Sequence, residues 1–192
     1  MNSKYTALYR LWHWLMAFSV LGLLFTVLLR KTFLSYKTNS LIIQDKLASL
    51  DVNIPIDSAV DIAKAIRAPM WEWHYIFGFF LVASILIRIY MLITKQGVMP
   101  LIALIRAPKE EKLKYGVYLF LCMFIAIMTI SGIFLYFYKE LGFTKEGIHW
   151  VKELHENLTF GVLFFMVLHF IGVLKHELTT KEGIISKMIH GD

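Results

Sequence analysis

Cysteine occurs once in this 192-residue sequence, at Cys122 inside an apolar run. One thiol forms no intrachain disulfide, and no C-x-x-C-H motif is present for covalent attachment of a c-type haem. Proline is scarce, with 4 residues against 11 glycines. Charge is scarce too, at 18% Asp, Glu, Lys and Arg, where a soluble domain carries about a quarter. What replaces it is apolar: 58% hydrophobic residues, 15% aromatic residues and a mean hydropathy of +0.62. These proportions exclude an ordinary soluble globule and point to a membrane protein. The net charge of +6 does not signal nucleic acid. The basic residues flank apolar segments, as in "APKEEKLKYG" at 107–116, which is the pattern of cytoplasmic membrane loops.

Four segments reach the roughly 20 apolar residues that a bilayer crossing needs: 9–29, 73–93, 114–138 and 156–174. Trp12, Trp14, Trp71, Trp73 and Trp150 fall near their ends, where an aromatic belt is expected. The apolar run in "MNSKYTALYRLWHWLMAF" has no small-residue cleavage site behind it and reads as a retained first span, not a signal peptide. The fold class expected is therefore an all-α, four-helix transmembrane bundle forming one domain over 1–192. The connection at 31–70 holds two stretches of helical periodicity, 39–50 and 56–67, expected as short helices on the membrane surface or on the spans. Residues 97–108 read as an interfacial helical turn. The side bearing both termini, the 95–114 loop and Arg88 at the end of span two carries eleven Lys and Arg against nine, and the nine share their side with nine Asp and Glu. Both termini are accordingly expected in the cytoplasm, with 31–70 outside.

Histidine supplies the chemistry. "HENLTFGVLFFMVLH" places His155 and His169 fourteen residues apart in an otherwise apolar helix, where an unsatisfied imidazole is costly. Fourteen residues are about 3.9 turns and about 21 Å, so the two rings leave nearly the same face, about 40° apart. One helix thus offers two ligands at two depths. His13 lies near the cytoplasmic start of span one and matches His169; His74 lies near the outer start of span two and matches His155. Low-spin b-type haem needs two axial ligands on opposite faces of a flat ring, and neutral imidazole serves. Glycine permits the close approach a porphyrin requires; Gly78 and Gly172 lie about one turn past His74 and His169, with Gly22, Gly132 and Gly161 deeper. His149, His176 and His190 fall outside the depth pattern, His149 in a loop before span four. Span three has no histidine and reads as packing support, with Thr129 and Ser131 bonded to their own helix backbone.

The segments "RLWHW" at 10–14, "WHYIFGF" at 73–79 and the His-x13-His helix at 155–174 resemble the bacterial cytochrome b561 and nickel-hydrogenase cytochrome b superfamily. That superfamily also includes membrane subunits of some formate dehydrogenases. Carried over by position, the resemblance implies His13 and His169 as axial ligands of a cytoplasmic-side haem b, and His74 and His155 as ligands of an outer one. It implies electron transfer across a bacterial inner membrane, with quinone at one end and a redox partner protein or the catalytic subunit of a respiratory oxidoreductase at the other. For want of cysteines nothing in the chain suits nickel, molybdenum or an iron–sulfur cluster, so such a centre would belong to another subunit. Lys175 and His176 are the candidates beside a quinone, and Arg10 and Lys152 the candidates for haem propionates. Two other classes compete. A histidine-based metal transporter would want several carboxylates or cysteines inside the spans, and only Cys122 is there. A haem-free anchor would use its histidines for interhelical hydrogen bonds.

Overall fold

The computed structural model describes residues 6–96, 99–180 and 183–191. All regular structure among them is helical: α1 (Ala7–Lys31), α2 (Tyr36–Ala48), α3 (Ile56–Ile93), α4 (Pro100–Arg106), α5 (Lys112–Phe137), α6 (His149–Thr180) and α7 (Ile184–Ile189), with a single 3-10 turn at Lys109–Glu111. Four helical stretches, Ala7–Lys31, Ile56–Ile93, Lys109–Phe137 and His149–Thr179, are long and apolar enough to cross a membrane. Their large side chains face outward: Ile130 is 68% exposed and Phe164 60%. So much apolar surface is tolerable only where the solvent is lipid.

Local chemistry sets the helix ends. Arg30 and Lys31 occupy the last turn of α1, where positive charge complements the carbonyl end of the helix dipole. Pro100 opens α4 behind an extended Met99, a position where the missing N–H is not needed. Three helices close with a left-handed residue and a bond five residues back: Val52 N–H to Leu47 O at 2.9 Å, Gln96 N–H to Met91 O at 2.8 Å, and Phe143 N–H to Tyr138 O at 2.9 Å. The left-handed positions are Asp51, Lys95 and Gly142, so this closure does not depend on glycine in every case.

The sequence expectation for 56–67 changes here. That stretch is no separate surface helix; it continues through Pro69 into span two as one 38-residue helix. Proline removes one intrahelical bond, to the carbonyl four residues before it, and the apolar run after it carries the helix on. At 1.5 Å per residue α3 is about 57 Å long, nearly twice a hydrocarbon thickness of about 30 Å. The 39–50 stretch is α2, and the 97–108 turn is α4, with residues 97 and 98 outside the described residues. Trp14, Trp73 and Trp150 are exposed as a belt would be, but Trp12 is buried, so it packs inward instead of facing an interface.

The chain divides into two compact units, 16–81 and the combination of 1–15 with 82–192. In the second, α5 packs along α6, α4 lies against α5 and α7 against α6. Gly161 makes room there for Phe124, whose ring stacks edge-on with Phe165 at 5.5 Å. In the 16–81 unit, the Arg67 guanidinium lies 4.9 Å over the Tyr36 ring and ties α3 to α2. Phe77 of α3 seats on Gly22 of α1.

Candidate functional site

His13 and His169 are brought together. His13 projects from the first turns of α1 and His169 from α6, with ring centroids 6.1 Å apart and planes at 56°. No hydrogen bond joins the two rings among the described residues, and no hydroxyl bonds to either of them. The neighbours that hold His13 are aromatic. Trp14 meets its ring edge-on at 5.6 Å, and the Trp14 indole N–H donates to Met188 O at 3.0 Å, fastening α7 to α1. One residue back, Trp12 is buried under the Arg88 guanidinium at 5.0 Å, and Arg88 donates to the Tyr118 hydroxyl at 3.2 Å. A buried indole beneath a cation, itself tied to α5, anchors the first turns of α1 and with them His13.

His155 lies in the same unit, on α6 against α5. Its Nδ1 is 2.9 Å from the Ser131 hydroxyl. The next residue along α5 is Gly132, where an added Cβ would sit 3.1 Å from His155 Cε1. The imidazole therefore lies directly on the α5 backbone. His74 belongs to the 16–81 unit. Its Nδ1 is 2.7 Å from the Thr26 hydroxyl of α1, and Trp71 meets its ring edge-on at 5.7 Å. The Arg30 guanidinium covers Trp71 from 5.4 Å.

Gly78 and Gly172, one turn past His74 and His169, differ from the packed glycines. A Cβ at either would meet no atom within 4 Å among the described residues, so each leaves open space beside its histidine. Among the described residues no three His, Cys, Asp or Glu side chains converge as a protein-only metal site would require.

Span three is more than packing support. It supplies Ser131 and Gly132 to His155, while Thr129 does bond only to its own helix, at Ile125 O. Thr26 was missed from the sequence, although it is the only polar side chain between Val20 and Leu29. His149 is not in a loop; it is the first residue of α6 and faces Glu153 at 3.7 Å on an exposed surface. Lys152 is near Glu156 at 3.9 Å. Arg10 has its guanidinium against Gly191 at the C-terminal end of the chain.

Four apolar membrane-length helices, with buried hydroxyls at Thr26 and Ser131 set against half-buried imidazoles, define an all-helical, multi-pass membrane protein. The chain belongs to the prokaryotic cytochrome b561 family, whose model matches residues 4–191. It is thus a membrane b-type cytochrome, a multi-pass inner-membrane protein that binds b-type haem and transfers electrons. No curated protein and no solved structure matches the chain.

Proposed function

We propose that residues 1–192 form one dihaem unit that conducts electrons across the membrane, with both termini in the cytoplasm. His13 and His169 hold the cytoplasmic-side haem b, and His74 and His155 hold the outer one. The observation that carries this reading is the facing pair. A metal bound by one nitrogen from each side has two bonds of about 2 Å, and each ring centre lies about 1 Å behind its nitrogen, so the centroids should stand about 6 Å apart. The His13–His169 spacing of 6.1 Å fits that requirement. Two imidazoles without a third protein ligand also suit an iron that brings four nitrogens of its own, and suit a bare transported cation poorly.

When bound, haem iron supplies one-electron chemistry between its ferric and ferrous states. The chain's own residues do the holding. Aromatic packing around Trp12 and Trp14 orients His13, and hydroxyls orient His74 and His155. The open space at Gly78 and Gly172 leaves room for a flat ring beside His74 and His169. Helix rise supports the pairing: His155 and His169 are about 21 Å apart along α6, so one haem cannot take both. Quinone reacts at the cytoplasmic end, where Lys175 and His176 stand about two turns beyond His169. The outer end serves a redox partner protein or the catalytic subunit of a respiratory oxidoreductase.

The test is a pyridine haemochrome assay on purified protein, with acid–acetone extraction and a haem count. Two haems per chain, both extractable, are the expected result. A folded protein with no haem would overturn the proposal, and one with a single haem would overturn its dihaem part.

A further inference from the structure

We propose that Thr26 and Ser131 are positioning residues for the outer haem, setting the tautomer and ring angle of His74 and His155 from their Nδ1 side. This rests on the dihaem reading above.

Each of the two hydroxyls has a single proton to donate. Thr26 Oγ1 lies 2.7 Å from Leu23 O and 2.7 Å from His74 Nδ1. A carbonyl oxygen only accepts, and two oxygens 2.7 Å apart with no hydrogen between them repel. The single hydroxyl proton therefore points at Leu23 O. What remains on Oγ1 is lone pairs, so the contact with His74 requires a proton on Nδ1. Ser131 repeats the arrangement: its Oγ is 2.8 Å from Ile127 O, 3.0 Å from Met128 O and 2.9 Å from His155 Nδ1. Its one hydroxyl proton is likewise taken by a backbone carbonyl, so the contact with His155 also requires a proton on Nδ1. In both imidazoles the proton sits on Nδ1, and the basic lone pair is left on Nε2, the nitrogen at the far edge of the ring.

The device occurs twice, on different helix pairs and in different units, and both times on an outer-pair histidine. Backbone-bonded hydroxyls are common in membrane helices, but Thr129 shows the ordinary form, with Ile125 O at 2.8 Å and no imidazole. His13 and His169 have no such hydroxyl among the described residues. A hydrogen bond at Nδ1 raises the basicity of the opposite nitrogen and restrains rotation of the ring. The first effect favours ferric over ferrous iron and so lowers the midpoint potential of the haem those rings ligate; the second fixes the ring angle that its low-spin signal reports.

The test uses the full-length, haem-loaded protein and the variants Thr26→Val and Ser131→Ala, each with its conservative counterpart, Thr26→Ser and Ser131→Thr. Expected is a raised midpoint potential and a shifted low-spin electron-paramagnetic-resonance signal for one haem, the same haem in both variants. That haem should bind about tenfold more weakly or worse. The other haem should be unchanged, and both conservative variants should restore wild-type values. Two haems at wild-type potentials and signals in both variants would overturn the proposal while leaving the dihaem reading intact. An effect on the haem that His13→Ala removes would also overturn it. Should the two variants perturb different haems, the positioning role stands and the His74–His155 pairing falls. If Thr26→Val does not fold, Ser131→Ala in the other unit carries the same test. A wild-type protein without haem would sink both readings.

Discussion

Replacing Gly132 by alanine sets a general rule about helices against one particular ring. In a helix interior the change gains about 0.8–1.0 kcal/mol of propensity. Here the new methyl would stand 3.1 Å from His155 Cε1 and 3.8 Å from its Nδ1, against an ordinary carbon–carbon contact of about 3.5–4.0 Å. The imidazole must retreat by roughly 0.4–0.5 Å to regain that contact. It is not free to do so, because Ser131, the adjacent residue on α5, holds Nδ1 at 2.9 Å. Retreat stretches that bond to about 3.3 Å, beyond good geometry, and forfeits about 0.5–1.5 kcal/mol. The opposing contributions nearly cancel, so the global stability of Gly132→Ala should change by less than about 1 kcal/mol in either direction. The damage should instead appear at one site. In a redox titration followed by reduced-minus-oxidised spectra, a single haem should shift or be lost, the same one affected by His155→Ala. A variant stabilised by the full propensity gain, with both haem signals at their wild-type positions, would refute the packing of His155 on α5.

Three further outcomes follow from the same structure. His13→Ala and His169→Ala should abolish one and the same haem signal, and His74→Ala and His155→Ala the other, with His190→Ala sparing both; potentiometric titration of each variant checks this, and loss of the same haem in His13→Ala and His74→Ala would refute the pairing. Gly22→Ala puts a methyl about 2.5 Å from the Phe77 ring, which Phe18 and Trp73 flank at 5.3 and 6.2 Å. It should destabilise the protein by up to about 2 kcal/mol, overpacking less the propensity gain, seen as a lower thermal midpoint in detergent. Trp14→Phe removes the indole bond to Met188 O, worth about 0.5–1.5 kcal/mol; amide exchange should quicken across Ile184–Ile189, and unchanged exchange there would show that α7 is held by other contacts.

The four spans were legible in the sequence because membrane crossing depends on the length and apolarity of one continuous segment, which needs no partner to be recognised. Where a helix stops is less local. The 56–67 stretch joins span two through Pro69, and a proline that reads as a break is tolerated when the residues after it resume the helix. Trp12 shows the same limit: a tryptophan near a span end reads as an interfacial anchor, and only the packing of Arg88 over its ring turns it inward.

The candidate site divides along the same line. His155 and His169 stand out in the sequence because histidine is costly in an apolar helix, and their spacing of fourteen residues converts to depth through the fixed helical rise. That arithmetic also selects His13 opposite His169, and the structure sets those rings 6.1 Å apart. It could not find Thr26 or the second bond of Ser131. A hydroxyl in a membrane helix always has its own backbone as a partner three or four residues away, and the sequence around Ser131 looks no different from that around Thr129. The imidazole that distinguishes Ser131 comes from residue 155, twenty-four positions along the chain, and that of Thr26 from forty-eight positions away. Depth along one helix is a property of the sequence; the rotation that brings a hydroxyl or a bare glycine backbone against a ring on another helix is decided by packing, because it depends on the shapes of both.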